Sequence, residues 1–249
     1  VLRAYGDGKL FGEPYGEGPL RVVFLHGWGR QGQDFATAAS ALADHGVSSL
    51  TLDLPGFGAT PAPETAGGAR QYAELVAPTL RSLGDEPLVL VGHSFGGRIA
   101  VVLAATYPEL VRALVLTGAP LVHKNSSSKS PRAYRVARWL HGKGLMSDER
   151  MEAARKKHGS ADYRNARGVM RDVLVASVNE SYEDELAHVA APVWMVWGEN
   201  DLDVPVAIAE RASALLQHPA SLEVVSGAGH LLPISAPASL VTATMKALS

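Results

Sequence analysis

The sequence predicts an α/β protein built on a mostly parallel sheet, with a helical insertion in its second half. Three observations lead there. Nearly continuous apolar runs at Arg21–Leu25, Val47–Leu52, Leu88–Val91 and Val111–Leu116 alternate with segments of helical periodicity before residue 120. No strand-like run appears between Leu121 and Asn179. The alternation then resumes at Pro192. Unbroken apolar runs belong to strands covered on both faces, and their alternation with helices means βαβ units with right-handed crossovers.

Taken in order, Leu2–Tyr5 and Leu10–Pro14 flank Gly6-Asp7-Gly8 and read as an antiparallel hairpin at a sheet edge. After the Arg21–Leu25 strand comes His26-Gly27-Trp28-Gly29. A helix follows, with Asp34 as its expected N-cap and Gly46 as its stop. The Val47–Leu52 strand closes on Asp53-Leu54-Pro55-Gly56-Phe57-Gly58. A helix over Ala69–Leu83 carries Pro78, which should kink it. Leu88–Val91 leads through Gly92-His93-Ser94-Phe95-Gly96 into a helix ending at Tyr107, before Pro108. Three helices are expected in the insertion, over Pro131–His141, Ser147–His158 and Ala161–Asn179. In the last of them Tyr163, Val169, Met170, Val173, Leu174 and Val178 form one stripe. Val193–Trp197 and Leu222–Val225 are the closing strands, with helices over Val206–Leu216 and Ala236–Leu248.

Composition bounds the function. The 249 residues are 47% hydrophobic and 19% charged, which suits one large globular domain with an insertion. A net charge of −2 points to no nucleic-acid or membrane partner. Without cysteine, disulfides, thiolate catalysis and Cys-ligated zinc are excluded. The first residues have no apolar signal-peptide core and no run reaches a membrane span, so a cytoplasmic protein is expected. Charge is segregated: residues 121–179 hold 13 Lys and Arg against 5 Asp and Glu, out of 23 and 25 in the chain. A solvated helical face is the plainer reading of that bias; it also suits an anionic substrate or an anionic carrier.

Gly92-x-Ser94-x-Gly96 between a strand and a helix is the context of a nucleophile elbow. Bulky side chains at 92 and 96 would collide in so tight a turn. A serine hydroxyl needs an adjacent base. Of nine histidines, six lie in helical or linker segments without special context. His93 lies inside the elbow and is expected to point away from Ser94, and His26 to shape its loop. His230 is different, because it sits in Gly227-Ala228-Gly229-His230 just past the last strand. The acid that orients it is Asp201, directly after the Val193–Trp197 strand. Asp203 is its competitor but reads as the approach to the next helix, and Asp53 is expected to tie down its own loop. Ser94, Asp201 and His230 all fall at carboxyl ends of strands, where ligands bind in open α/β sheets. The oxyanion donors expected are the backbone N–H groups of Phe95 and Trp28. Gly27, Trp28, Phe95 and Leu231 are the expected substrate-binding residues.

With HGWG, DLPGFG, GHSFGG, WGENDLDVP and GAGH in that order, the chain resembles the α/β-hydrolase-fold serine hydrolases with a helical cap after the sixth strand. The resemblance covers nearly the whole chain. It implies an eight-stranded, mostly parallel sheet flanked by helices, a core domain of residues 1–120 and 191–249, and a cap of residues 121–190. It also implies Ser94 as nucleophile, His230 as base, Asp201 as acid, and no cofactor or metal. The elbow serine separates the chain from the dehalogenase and epoxide-hydrolase branches, which carry aspartate there. HGWG and DLPGFG further resemble the carboxylesterase branch that acts on a carrier-bound methyl ester in biotin synthesis, which has tryptophan where this chain has His93. The expected activity is hydrolysis of a small-to-medium carboxylic ester. Hydrolysis of a C–C bond in a vinylogous diketone uses the same triad. Receptors that bind a small hormone share the fold.

Overall fold

A computed structural model of the chain describes residues 1–123, 139–141, 143–147, 149–151 and 161–249. The strands are β1 (Arg3–Tyr5), β2 (Leu10–Tyr15), β3 (Leu20–Leu25), β4 (Ser48–Asp53), β5 (Leu88–His93), β6 (Val111–Thr117), β7 (Val193–Gly198) and β8 (Ser221–Val225). They form one eight-stranded sheet in the order β1-β2-β4-β3-β5-β6-β7-β8. β1 and β2 pair antiparallel, as does β2 with β4, and every pairing from β4 to β8 is parallel. The order turns back at β3, so the chain leaves β3 for β4 on one side and reaches β5 on the other.

Sequence alternation explains why both faces are dry. Val23, Leu25, Leu50, Leu52, Leu88 and Leu90 face one layer, with Tyr72, Val76 and Leu80 of α2 (Ala69–Ser82) and Ile99 and Leu103 of α3 (Phe95–Thr106). The intervening Val22, Phe24, Val89, Val91, Ala113 and Val115 face the other. There they meet Ala38, Ala39 and Leu42 of α1 (Ala36–Asp44) and Leu240, Ala243 and Ala247 of the C-terminal helix Pro237–Leu248. A strand with apolar residues at every position is stable only when each face has such a cover.

Several local expectations change. Asp34 does not cap α1, which is preceded by a 3₁₀ turn over Gly32–Phe35. Its carboxylate instead takes both Nε (2.5 Å) and Nη2 (2.9 Å) of Arg30 in a two-pronged pair. α2 runs through Pro78 as one helix. The helices expected over Pro131–His141 and Ser147–His158 lie largely outside the described residues. The single helix expected over Ala161–Asn179 is two: α4 (Ala161–Asn165) and α5 (Val169–Asn179). Gly168, at φ 52°, breaks the run in a conformation no helix interior accepts. Within α5 the buried stripe is Val173, Leu174 and Ser177, while Val178 is 58% exposed. Ser177 tolerates burial because its hydroxyl donates back to the Val173 carbonyl (2.8 Å).

A further helix, α6 (Glu183–His188), precedes β7. Tyr182, Leu186 and Val189 belong to the same buried cluster as α3. The chain just after β6 and the chain just before α6 are joined where the Tyr182 N–H donates to the Leu121 carbonyl (3.1 Å). Arg98 of α3 donates to the carbonyls of Pro120 (3.2 Å), just after β6, and of Ser177 in α5 (2.8 Å). After β7, α7 covers Val206–Ser213, and the tail begins with the short helix α8 (Leu232–Ser235) before α9 (Pro237–Leu248). Among the described residues no helix is long and apolar enough to cross a membrane.

Candidate active site

The elbow forms at the end of β5. Ser94 has φ 50° and ψ −109°, a region that costs a non-glycine residue about 1–3 kcal/mol and persists only when its surroundings hold it. Here they do. The Ser94 N–H donates to the Thr117 carbonyl at the end of β6 (2.9 Å), and the Gly96 N–H donates to the His26 carbonyl (3.0 Å). A Cβ on Gly92 would lie 2.6 Å from the Gly97 Cα, and one on Gly96 would overlap the Leu25 carbonyl. Backbone cannot yield as a flexible side chain does, so both positions require glycine. Helix α3 starts at Phe95, placing the positive end of its dipole behind Ser94.

His230 and Asp201 come together. His230 Nδ1 lies 2.9 Å from Asp201 Oδ2. A carboxylate only accepts, so the proton sits on Nδ1 and Nε2 keeps its lone pair free. The other Asp201 oxygen accepts the Val204 N–H (2.7 Å), and Trp197, fully buried on β7, donates its indole N–H to the Val204 carbonyl (2.7 Å). Asp201 is therefore fixed at both oxygens and buried, whereas Asp203 is exposed. One carboxylate oxygen each from Asp201 and Asp203 and one ring nitrogen of His230 lie within 4.8 Å of one another. The Asp201–His230 hydrogen bond accounts for two of the three groups, and Asp203 follows two residues after Asp201 on the same loop. Among the described residues Ser94 Oγ makes no hydrogen bond; the His230 ring lies 4.8 Å, centroid to centroid, from that of His93, the residue before Ser94.

Gly118 is a residue that sequence reasoning passed over. It follows β6 at φ 56°, and a Cβ there would lie 3.0 Å from His230 Nδ1 and Cε1 and 3.3 Å from Asp201 Oδ2. Its signal was available: a glycine directly after a buried strand, at the edge where the other site residues fall. Gly118→Val should lower stability by about 1–3 kcal/mol through its φ and push the imidazole off Asp201. Activity should fall at least tenfold beyond any loss of folded protein, measured by titrating folded enzyme before assay. Wild-type activity per folded molecule would disprove the contact.

Two loops frame the elbow. His26 Nδ1–H donates to the Gly27 carbonyl (2.7 Å) and Nε2 accepts the Leu54 N–H (3.0 Å), which ties HGWG to DLPGFG. Burial holds the ring neutral by pushing its pKa down. Asp53 accepts the N–H groups of Gly32 and Ala59, both at 2.8 Å, so it ties down the loop after β4. Among the described residues, the N–H groups of Trp28 and Phe95 donate to no acceptor. The Phe95 ring is buried, edge-on to Trp28 (5.6 Å between centroids) and to Tyr72 (4.9 Å), so its side chain is a floor rather than an open contact. Phe57 also packs edge-on with Trp28 (5.0 Å). Leu231 is 42% exposed beside His230.

A cleft of about 420 Å³ opens against Trp28. Trp28, Gly29, Gly56 and Phe57 line one wall, and Asp162, Asn165, Arg167 and Met170 line the other. Met170 closes its base, with Sδ 3.8 Å from the Tyr72 hydroxyl. One wall is thus aromatic and the other polar, with both charge signs present. Of the expected binding residues, Trp28 lines this cleft; Gly27 lies beneath, against His93 and Ser94.

The His93 ring packs against the loop that carries His230. Its ring is 2% exposed, its centroid is 4.8 Å from that of His230, and Nε2–H donates to the His230 carbonyl (2.9 Å). Desolvation, helped by the neighbouring His230, pushes its pKa from 6.5 down to about 3. The sign of the linkage follows. Between pH 6.5 and 3 the unfolded chain binds a proton at this histidine that the folded chain refuses, so stability is full above pH 6.5 and is lost as pH falls toward 3. The denaturant midpoint should therefore drop with acid across that window, and His93→Gln should flatten the slope. His26 acts in the same sense, so the slope should shrink without vanishing. An unchanged slope would contradict burial of a neutral His93.

Comparison with known proteins places the chain in a family. The family model for the α/β-hydrolase fold matches residues 21–145. A pimeloyl-[acyl-carrier protein] methyl ester esterase of Chromobacterium violaceum is 39% identical over 141 residues, 57% of this chain and 49% of that protein. The biotin biosynthesis bifunctional protein BioHC of Teredinibacter turnerae is 29% identical, with 92% of this chain and 45% of that protein covered. The chain spans about half the length of these two relatives. Among solved structures, Est816, described as an N-acyl homoserine lactone degrading enzyme, superposes with a TM-score of 0.73 over 98% of both chains at 23% identity, a likeness of fold alone. The chain belongs to the α/β-hydrolase-fold family.

Proposed function

We propose that the chain is a serine hydrolase of carboxylic esters, with Ser94 as nucleophile, His230 as general base and acid, and Asp201 as the residue that orients His230. The observation that carries this reading is the 2.9 Å bond from His230 Nδ1 to Asp201 Oδ2, taken with a strained serine at the start of α3. That bond leaves Nε2 as the proton acceptor. Ser94 Oγ attacks the ester carbonyl carbon and gives its proton to His230 Nε2. The carbonyl π electrons move to oxygen, and the resulting anion is held by the N–H groups of Phe95 and Trp28. Each such donor contributes on the order of 10²–10³ in rate. The tetrahedral intermediate collapses, the alcohol leaves with the proton from His230, and water clears the acyl-enzyme by the same route. The hydroxyl–imidazole contact closes by rotation of the serine side chain as substrate binds, since such bonds are often open in a free enzyme.

In this reading residues 121–190 form the cap and the cleft beside Trp28 holds part of the substrate. The relatives' esterase names support an ester, and the mixed wall with Arg167 and Asn165 suits a chain ending in a polar or anionic group. The direct test is a fluorophosphonate: a stoichiometric adduct on Ser94, located by peptide mass, with matching loss of esterase activity. An adduct elsewhere would refute the assignment. A panel of neutral esters, carboxylate-bearing esters and a ring-fission diketone then separates ester from C–C hydrolysis and measures any preference for anionic substrates.

A further inference from the structure

Residue 93 stands between the nucleophile and two elements that must face it. Its backbone belongs to β5, next to Ser94. Its Nε2–H reaches the His230 main-chain carbonyl (2.9 Å), across 137 positions of sequence. Its Nδ1 side lies against Gly27, where a Cβ would come within 2.7 Å of Nδ1 and 3.3 Å of Ser94 Cβ. The loop carrying His230 leaves β8 at Val225 and does not re-enter regular structure until Leu232. Its backbone is held at Gly227, whose N–H donates to Glu199 Oε2 (2.9 Å), at Ala228, whose carbonyl accepts the Asn200 N–H (2.8 Å), and at His230 by His93. Asp201 fixes the imidazole, but His93 fixes the backbone on which the imidazole turns.

We propose that His93 is a positioning residue that sets the His230 main chain and the Gly27 loop at fixed distances on either side of Ser94. This rests on the assignment of His230 as base. A neutral ring suits the task, because a charged one beside His230 would oppose the imidazolium that forms during turnover. A carbonyl only accepts, so the bond requires the proton on Nε2, and burial keeps the ring neutral.

Gln has the same number of bonds from Cβ to its amide nitrogen as His has to Nε2, so His93→Gln can keep the donor. His93→Asn falls one bond short, and His93→Leu fills the space without a donor. Displacing a catalytic group by about 1 Å can cost on the order of 10² in rate. The expected result is kcat lowered roughly 10–100-fold in His93→Leu and His93→Asn, with KM within about threefold, and kcat restored to within about threefold in His93→Gln. The proton on His230 Nδ1, read by NMR in free protein, should shift or broaden in the first two and return in the third. Gly27→Ala should cost much less in a His93→Ala background than alone, because the ring it strikes is gone.

Equal kcat in His93→Asn and His93→Gln would overturn the proposal, assigning any loss to volume alone. So would wild-type kcat with an unmoved His230 proton in His93→Leu. If Ser94→Ala kills activity while all His93 variants match wild type, the positioning role fails and the hydrolase reading stands. If Ser94→Ala stays active, the hydrolase reading fails, and the NMR signal still decides whether His93 holds His230.

Discussion

Ser94→Ala should lower kcat for ester hydrolysis by on the order of 10⁶, the scale on which losing the nucleophile of a serine triad acts. The change deletes one oxygen. The Ser94 N–H bond to Thr117 is main-chain and survives, and alanine tolerates φ 50° no worse than serine does. The thermal midpoint should therefore stay within a few degrees of wild type, and the loss is chemical rather than structural. A remnant on the order of 10³–10⁴ over water is expected from the oxyanion donors and substrate binding alone. The variant should take up no fluorophosphonate. Wild-type turnover by Ser94→Ala, with contaminating esterase excluded by the missing adduct, would place the nucleophile elsewhere.

The parts of the fold legible in sequence are those fixed by periodicity. β3, β4, β5 and β6 were readable because a sheet covered on both faces admits apolar residues at every position, a pattern that turns and surface helices do not imitate. Ser94 and Asp201 stand out in sequence because each follows such a strand, whereas His230 follows β8, an edge strand with no buried residue, and stands out only by its glycine-rich loop. Features fixed by partners distant in sequence were not readable. Asp34 resembles a helix cap until Arg30 is seen to occupy it. Val178 has the polarity of a buried residue, yet Ser177 takes the buried place by bonding its own helix. The orientation of His93 depends on where the loop after β8 passes, and nothing in GHSFGG encodes that path. Gly118 is invisible as a site residue until His230 and Asp201 are placed over it. The general rule is that strand ends announce themselves locally, while what packs on them is settled by topology.

Asp201→Asn separates orientation from burial and sharpens the assignment of the acid. Asparagine keeps an oxygen for the Val204 N–H, so the loop after β7 should remain in place. The amide nitrogen then faces His230 Nδ1 and donates to it. The imidazole must move its proton to Nε2, the position from which it accepts the serine proton, and kcat should fall by on the order of 10⁴. KM should change little, because Asp201 is buried behind His230 and does not face the cleft. Asp201→Ala should do more to the fold, since it leaves the Val204 N–H without its acceptor at a buried position, a cost of about 1–3 kcal/mol. The two variants thus make opposite demands: similar loss of turnover, unequal loss of stability, read by chemical denaturation and by kcat on folded enzyme. Asp203→Asn is the decisive control, because Asp203 lies near the same histidine but is exposed. If that variant loses turnover while Asp201→Asn keeps it, the orienting carboxylate is Asp203, and the hydrogen bond at Asp201 serves only to hold the loop.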